Sequence, residues 1–302
     1  MDPTASSSSP HAEPPTLLLM VPAMGVAAAF YEPFAARLRA AGIAVRLLDM
    51  PGQGSSPLSA RRGDDYGYRE IVEELLPDAV RAARRELPQG RILLAGHSLG
   101  GQLAVLASAE LSPALDGLVL VAAGTAHWRS WPAGRRLQAC CAVHAIATLA
   151  ALLPWYPGDR VGFGGAQSRR FMRDWRHNAR TGQYRLEGSA RGAEALRSAL
   201  REVRLPVLAL SIRNDPIAPE GALLELLAHL PAARVRRVTV SGLLAHAPWK
   251  RHFSWARQSA GVEDALLAWL AEDPRSHHFL SGVTDDHARD PDVRDPAPLP
   301  AP

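Results

Sequence analysis

The sequence predicts an α/β protein with a mostly parallel sheet. Short apolar runs alternate with longer segments rich in Ala, Leu and Arg along most of the chain. Strands that are separated by helices need right-handed crossovers, which place the strands parallel to one another in a sheet. A chain of 302 residues, 47% of them apolar, is long enough to bury one large core of this kind.

The predicted elements follow this alternation in chain order. Short runs rich in Val, Leu and Ile read as buried strands, and these are Leu17–Val21, Ala44–Leu48, Ile92–Ala95, Leu118–Ala122, Val207–Ser211 and Val235–Val240. The segments between them read as helices, namely Tyr31–Ala41, Tyr68–Glu86, a segment up to Leu111, one after Pro219 and a last one ending near Trp269.

Residues 125–205 interrupt the alternation and form what we call the insertion. The insertion holds four Trp, many Arg and a segment rich in Gly and Pro, and it shows no clear strand. Because it follows a strand, we expect a helical cap over the carboxyl edge of the sheet; the alternative is a helical subdomain whose Trp residues form its own core. The folded domain is predicted over 16–273, with disordered tails at 1–15 and 274–302.

A candidate nucleophile lies in the segment Gly96–Gly100, which reads Gly-His-Ser-Leu-Gly and is called the serine turn below. A serine at the apex of a sharp strand-to-helix turn is held in a strained conformation that leaves no room for side chains at the flanking positions. The turn presents the Ser98 hydroxyl beside the first N–H groups of a helix. Ser98 is therefore the predicted nucleophile, the alternative being a glycine-rich turn that contains serine without a role.

A serine attacks an ester or amide only when a base removes its proton and a third group orients that base. Both groups are expected after later strands, in the chain order serine, acid, histidine. Asp215 follows a predicted strand and is the predicted acid, with turn formation as the alternative role. His246 and His252 both follow the last predicted strand, and both remain candidates for the base. His97, next to Ser98, is expected to pack or to bond to backbone.

An oxyanion hole needs two backbone donors. One is expected from the N–H of Leu99, directly after the nucleophile. The other is expected from Met24 or Gly25, in the loop of residues 22–26 that follows the first strand and is called the oxyanion loop below. The identity of these side chains matters little, because the backbone donates.

Composition and motifs argue against several other classes. The formal charge is +4, and no block of basic residues or nucleic-acid motif is present, so no nucleic-acid partner is predicted. Leu17–Val21 is too short for a signal sequence or a spanning helix, which predicts a cytoplasmic protein without an integral membrane segment. Cys140 and Cys141 are adjacent and a poor pair for a disulfide. Metal-ligand spacings, phosphate loops and dinucleotide fingerprints are absent from the sequence, so neither a metal nor a cofactor is predicted.

With these motifs, the chain resembles the α/β-hydrolase superfamily over nearly all of residues 17–270. The matching segments are Gly96–Gly101, Asp49–Ser55, Asn214–Pro219 and the late histidine. The resemblance implies the α/β-hydrolase fold, a mostly parallel sheet flanked by helices, here with a helical cap insertion. The superfamily's sheet has eight strands, and the short region before Leu17 implies that the first two are missing.

A closer similarity is to bacterial predicted serine hydrolases and esterases of this superfamily. In that group the cap carries a Pro-Gly-Arg-x-Gly-x-Gly-like run and an Asp-Trp pair followed by Arg and Tyr, which correspond here to 157–165, 174–176 and Tyr184. The group also shows a His-Phe-x-Trp/Phe-x-Arg segment, matched here by 252–257. The resemblance therefore implies that His252 is the base.

Two positions depart from the superfamily's pattern. The usual His-Gly of the oxyanion loop is replaced by Ala23 and Met24, which leaves the second donor unassigned. The Gly that commonly precedes the catalytic histidine is replaced by Arg251, which keeps His246 as the alternative base.

These features predict a serine hydrolase that cleaves carboxylic esters. Ser98 would attack, His252 would carry the proton, Asp215 would orient the imidazole, and water would hydrolyse the acyl-enzyme. The expected partner is a small, partly apolar ester held under the cap. Two alternatives are acyl transfer or lyase chemistry on the same triad, and a non-catalytic hydrolase-like binding protein.

Overall fold

A computed structural model describes residues 14–272. The predicted tails lie outside the described residues, apart from Pro14 and Pro15. The strands are β1 (Thr16–Val21), β2 (Ala44–Leu47), β3 (Arg91–His97), β4 (Gly117–Val121), β5 (Tyr156–Pro157), β6 (Ala166–Gln167), β7 (Pro206–Ile212) and β8 (Arg234–Val240). The α-helices are α1 (Glu32–Ala40), α2 (Leu76–Glu86), α3 (Leu99–Leu111), α4 (Arg136–Leu152), α5 (Gly158–Val161), α6 (Arg169–Thr181), α7 (Ala193–Arg201), α8 (Glu220–Leu227), α9 (Arg251–Ser254) and α10 (Ala260–Ala271).

The main sheet has six parallel strands in the order β2-β1-β3-β4-β7-β8. This arrangement confirms the predicted α/β class and the mostly parallel sheet. Val21 of β1 lies opposite Gly96, and His97 of β3 lies opposite Val121. The carboxyl ends of β1, β3 and β4 therefore meet at one edge, where the serine turn begins.

Both faces of the central strands β1, β3, β4 and β7 are buried, which explains why these strands read as continuous apolar runs. In β1, Leu17 and Leu19 pack into the layer that contains α2 and α3. Leu18 and Met20 point to the other face and pack into the layer that contains α1 and α10. The side chains alternate because successive residues of a strand face opposite sides of the sheet.

The helix predicted over Tyr68–Glu86 is divided. Glu70–Leu75 forms a π-helical segment, and α2 continues from it. Pro77 stands at the second position of α2 and lacks the N–H that a continuous α-helix would use to bond the preceding turn. The hydrophobic periodicity of the sequence predicts the extent of this helix, but it does not predict the change from π-helix to α-helix at Leu76.

The insertion contains α4 to α7 and one short hairpin. The hairpin consists of β5 and β6, which pair antiparallel over two residues each; no strand was predicted here, since two residues are too few to show an alternating pattern. Trp175 is buried and lies 6.0 Å from Phe163 between ring centroids. It belongs to the same buried cluster as Leu17 and Leu19 of β1, so the insertion packs into the layer that contains α2 and α3 and does not form a separate core. Trp131 instead contacts the loop after β7, where its Nε1 donates to the Pro216 carbonyl at 3.3 Å.

Candidate active site

The serine turn has the strained geometry expected of a nucleophile elbow. Ser98 has φ 54° and ψ −119°, a conformation that residues other than glycine rarely adopt. Its N–H donates to the Val121 carbonyl at 3.0 Å. A Cβ at Gly96 would lie 2.4 Å from the backbone of Gly100, and a Cβ at Gly100 would lie 2.3 Å from the carbonyl oxygen of Val21. Only glycine fits at both positions.

Asp215 and His252 are brought into direct contact. Nδ1 of His252 lies 2.6 Å from Oδ2 of Asp215, and their side chains are 1% and 0% exposed. A carboxylate can only accept, so Nδ1 donates and Nε2 of the neutral ring is left as an acceptor. The other oxygen of Asp215 accepts the N–H groups of Ile217 at 2.8 Å and Ala218 at 3.2 Å. Asp215 therefore orients the imidazole and also forms the turn before α8, the role offered as its alternative.

The two candidate histidines occupy different environments. His252 lies in α9 and is buried, whereas His246 lies exposed in the loop before that helix. The guanidinium of Arg251 donates to the carbonyl of Asn214 at 3.3 Å and so joins α9 to the loop that carries Asp215. Arg251, which replaces the usual glycine of the superfamily, thus connects the helix that carries His252 to the loop that carries Asp215.

His97 connects the serine turn to His252. Its Nε2 lies 3.0 Å from the His252 carbonyl oxygen, its Nδ1 lies 2.7 Å from the Tyr31 hydroxyl, and that hydroxyl also accepts the Ala23 N–H at 2.9 Å. A carbonyl only accepts, so Nε2 of His97 donates to it and Nδ1 accepts from Tyr31. Burial, aided by the nearby His252, holds the pKa of His97 well below its usual range, so the ring is neutral. His97 therefore bonds to backbone, as expected.

The rings of His97 and His252 lie 4.7 Å apart between centroids. Since His97 directly precedes Ser98, this contact holds the His252 ring against the serine turn. Ser98 itself is half-buried, and its hydroxyl makes no hydrogen bond to another side chain of residues 14–272.

The expected oxyanion donors lie on two adjacent segments. Leu99 is the first residue of α3, where N–H groups have no partner within the helix. The oxyanion loop turns sharply, with the Val26 N–H donating to the Ala23 carbonyl at 3.1 Å and Met24 and Gly25 at its tip. The contact of Gly100 with Val21 brings the end of β1, and hence this loop, against the start of α3.

The insertion packs onto the oxyanion loop through backbone. A Cβ at Gly25 would lie 2.3 Å from the carbonyl carbon of Gly164 and 2.4 Å from the nitrogen of Gly165, and Gly25 has φ +74°. The Met24 side chain lies against Gly164 as well. Sequence reasoning missed this contact and the hydrogen bonds of Tyr31, because neither shows a periodic or local signal; the glycines at 162, 164 and 165 are the one indication of a close backbone contact.

The strained serine at a strand-to-helix turn, the buried acid and histidine, and the six-stranded parallel sheet together define an α/β-hydrolase. Residues 12–248 match the family described as serine aminopeptidase, S33, and this chain belongs to that family. His252 lies just beyond the matched residues, whereas Ser98 and Asp215 lie within them.

The chain is also similar to individual proteins of known name, at low sequence identity. Over 234 residues the chain is 28% identical to a pimeloyl-[acyl-carrier protein] methyl ester esterase of Nitrosomonas europaea, a match that covers 72% of this chain and 83% of that protein. Among solved structures, Est1E from Butyrivibrio proteoclasticus, bound to ferulic acid, matches with a TM-score of 0.56 at 16% identity, covering 86% of this chain and 92% of that one. A monoacylglycerol lipase of Paleococcus ferrophilus matches with a TM-score of 0.53 at 18% identity, covering 86% and 96%. The structural matches support the fold.

Proposed function

We propose that this α/β-hydrolase cleaves carboxylic esters through a triad of Ser98, His252 and Asp215. The observation that carries the proposal is the buried hydrogen bond between Asp215 and His252, held against the strained serine turn by His97. A single geometric unit of this kind supplies the nucleophile, the base and the group that orients the base.

The chemistry follows from the hydrogen-bond roles. Nε2 of His252 takes the proton of the Ser98 hydroxyl as Ser98 Oγ attacks the ester carbonyl. The N–H groups of Leu99 and of Met24 or Gly25 stabilise the oxyanion, and the protonated imidazole, held by Asp215, returns its proton to the departing alcohol. Water then repeats the sequence on the acyl-enzyme and releases the acid. No step requires a metal or a cofactor.

The proposed substrate is a small, partly apolar ester. The insertion contacts the oxyanion loop at Gly25 and the loop of the acid at Pro216, so we propose that it covers the site as a cap. The name of the Nitrosomonas europaea relative refers to cleavage of a methyl ester, which supports ester hydrolysis here. Acyl transfer and a purely binding function remain alternatives that the following experiment distinguishes.

The first test is labelling by a fluorophosphonate probe, which reacts with activated serines. Wild type should be labelled and Ser98→Ala should not. His252→Ala should lower kcat/KM for p-nitrophenyl esters by about 10³-fold or more, since the serine loses its base. His246→Ala is the matched control and should leave kcat/KM unchanged, because this histidine is exposed and forms no hydrogen bond to Asp215.

Two outcomes would contradict the proposal. One is an unlabelled wild type, which would favour a binding protein. The other is a loss of activity in His246→Ala equal to that in His252→Ala. A series of esters with increasing acyl length would define the acyl-binding depth, and added alcohol or amine that captures the acyl group in preference to water would indicate acyl transfer.

A further inference from the structure

The positive charge of the folded chain is concentrated in the insertion. Residues 125–205 contain fourteen arginines and five acidic residues, whereas the other described residues contain seventeen basic and seventeen acidic side chains. Since the basic and acidic side chains outside the insertion are equal in number, the net positive charge of the described residues equals that of the insertion. Nearly half of the arginines of the described residues therefore belong to the insertion, where few acidic residues balance them.

Within this basic region, α4 presents an uncharged face to solvent. Leu137 and Leu152 are 77% and 75% exposed, although both are apolar. The exposed residues of the face recur with helical spacing and lie on one side of the helix; they are Leu137, Cys141, Ala145, Thr148 and Leu152. A helix of this length presents a strip of about 25 Å. An exposed apolar strip on a folded domain indicates an interaction surface.

Arginines flank this strip. Arg169, Arg173 and Arg176 recur with helical spacing along α6, and they line a groove of about 250 Å³ whose other wall is formed by Ala147, Ala150 and Ala151 of α4. Arg173 is paired with Glu187 at 3.0 Å, which lowers its availability to a ligand.

Other arginines beside α4 have no acidic partner among the described residues. Arg136 donates to the Trp131 carbonyl at 3.0 Å, and Arg169 donates to the carbonyls of Leu153 and Ala151, so these contacts orient the guanidinium groups but leave their charge unbalanced. Arg135 and Arg136 are exposed at the start of the helix. Among residues 14–272, neither of these two nor Arg169 or Arg176 forms an ion pair with an acidic side chain. The surface therefore combines unpaired cations with an apolar strip.

We infer that this surface, α4 with Arg135, Arg136, Arg169 and Arg176, docks the protein on an anionic lipid bilayer. Arginine binds lipid phosphate strongly, and the leucines at the two ends of α4 can enter the boundary between head groups and acyl chains. None of these residues belongs to the proposed triad, so the inference does not depend on the proposed function. Within residues 14–272 no helix has the length and hydropathy of a membrane span, so the contact would be peripheral.

The surface fits a bilayer better than two other partners. A second copy of the chain would bring one arginine-rich insertion against another, which is repulsive. Tight protein interfaces centre on Trp, Tyr and Arg anchors that fill pockets, whereas α4 contains no Trp, Tyr or Phe and its one ring is the exposed His144. A bilayer requires only an apolar strip with flanking cations.

The inference is tested by sedimentation of the full chain with phosphatidylcholine vesicles, with and without phosphatidylglycerol. Wild type should sediment with the anionic vesicles, stay in solution with the neutral ones, and be released by high salt. Arg135→Gln with Arg176→Gln should weaken partitioning by roughly fivefold per arginine. Arg85→Gln with Arg234→Gln removes the same charge from exposed, unpaired positions outside the insertion and should leave partitioning near that of wild type.

A second pair of variants tests the apolar strip without altering charge. Leu137→Gln with Leu152→Gln should lower partitioning severalfold, whereas Leu244→Gln, which alters a leucine that is 78% exposed outside the insertion, should not. Thermal unfolding of each variant establishes that it is folded. Three outcomes would overturn the inference: equal sedimentation with both kinds of vesicle, no sedimentation with either, or an equal loss of partitioning in the two arginine double variants. If the surface binds a soluble acidic partner instead of a bilayer, the protein should sediment with neither kind of vesicle.

Discussion

Tyr31 and His97 form a buried chain of hydrogen bonds that runs from the oxyanion loop to the backbone of the proposed base. Every donor and acceptor of the chain has one assigned partner, from the Ala23 N–H through Tyr31 and His97 to the carbonyl of His252. Burial raises the pKa of Tyr31 above its usual range, so the hydroxyl keeps its proton and can donate to His97. Since His97 is fully buried and donates to the His252 carbonyl, we propose that it positions His252, the proposed base.

If His97 positions His252 through hydrogen bonds, two substitutions at this position should differ in their effect on kcat. His97→Gln retains a donor and an acceptor, whereas His97→Phe retains a ring but neither. If His97 positions His252, kcat should fall by about 10–100-fold in His97→Phe, with little change in KM, and by less in His97→Gln. Steady-state kinetics on a p-nitrophenyl ester would measure both. A purely packing role predicts the reverse order, in which the phenylalanine variant is the more active.

Asp174 is a second buried group with a defined role. It is 2% exposed, and its two oxygens accept the N–H of Tyr68 at 3.0 Å and the N–H of Glu187 at 3.1 Å. Burial raises the pKa of this carboxyl to about 7, against the lowering effect of the two N–H groups. Asp174 thereby links the insertion to the segment before α2.

The raised pKa of Asp174 predicts how stability depends on pH. From about pH 4 to pH 7 the folded protein keeps a proton that the unfolded chain releases, so the contribution of Asp174 to stability falls as pH rises through this range. Asp174→Asn cannot ionise, so its stability relative to wild type should be more favourable at pH 8 than at pH 5. Urea unfolding of both proteins at the two pH values measures this, and a difference that is the same at both would argue against it.

At the scale of elements, the hairpin region of the insertion and the oxyanion loop meet through glycine backbones. No side chain separates Gly25 from Gly164 and Gly165, so the two segments shift together. A side chain at this contact would displace the loop that is proposed to supply an oxyanion donor.

The consequence can be measured with three alanine variants. Gly25→Ala and Gly165→Ala each place a Cβ within 2.7 Å of the opposing backbone, and each should lower kcat/KM by about tenfold or more. Gly162→Ala is the matched control, since Gly162 has φ +77° but no atom within 4 Å of an added Cβ. It should be destabilised by about 1–2 kcal/mol through backbone strain alone, with kcat/KM unchanged. Equal kcat/KM in all three would exclude the coupling.

At the scale of the whole molecule, the sheet supplies the core and the rigidity on which the site depends. β4 lies in the middle of the sheet and its residues are buried, while β8 lies at one edge and is largely accessible. The serine turn and the acid loop extend from strands β3 and β7, which both pair with β4.

The free energy of unfolding should therefore respond unequally to truncations in the two strands. Leu120→Ala, in β4 and 0% exposed, should lower it by about 2–5 kcal/mol, since it leaves a cavity in a close-packed core. Val235→Ala, in β8 and 38% exposed, should lower it by less than about 1 kcal/mol. Urea denaturation gives both values, and similar losses would mean that the edge strand is part of the rigid core.

Local sequence was sufficient for several parts of the site because their geometry is local. Two glycines around Ser98 predict the strained turn, since no other residue fits beside it. Asp215 before Pro216 predicts a turn after a strand. Continuous apolar runs predict strands buried on both faces, and their alternation with helices predicts the parallel sheet.

Only the tertiary structure decided how these parts meet. His246 and His252 both follow the last predicted strand, and only the resemblance favours His252; the structure places His252 of α9 against Asp215 and leaves His246 exposed. Tyr31 joins His97 across 66 residues, and Arg169, Arg173 and Arg176 line one groove with α4 only when the helices of the insertion pack. The sequence by itself thus determined the fold class and the serine turn, which depend on backbone sterics and hydrophobic periodicity. The contact of the proposed base with Asp215, the hydrogen bonds through His97 and the basic surface beside α4 depend on distances between remote segments, which only packing defines.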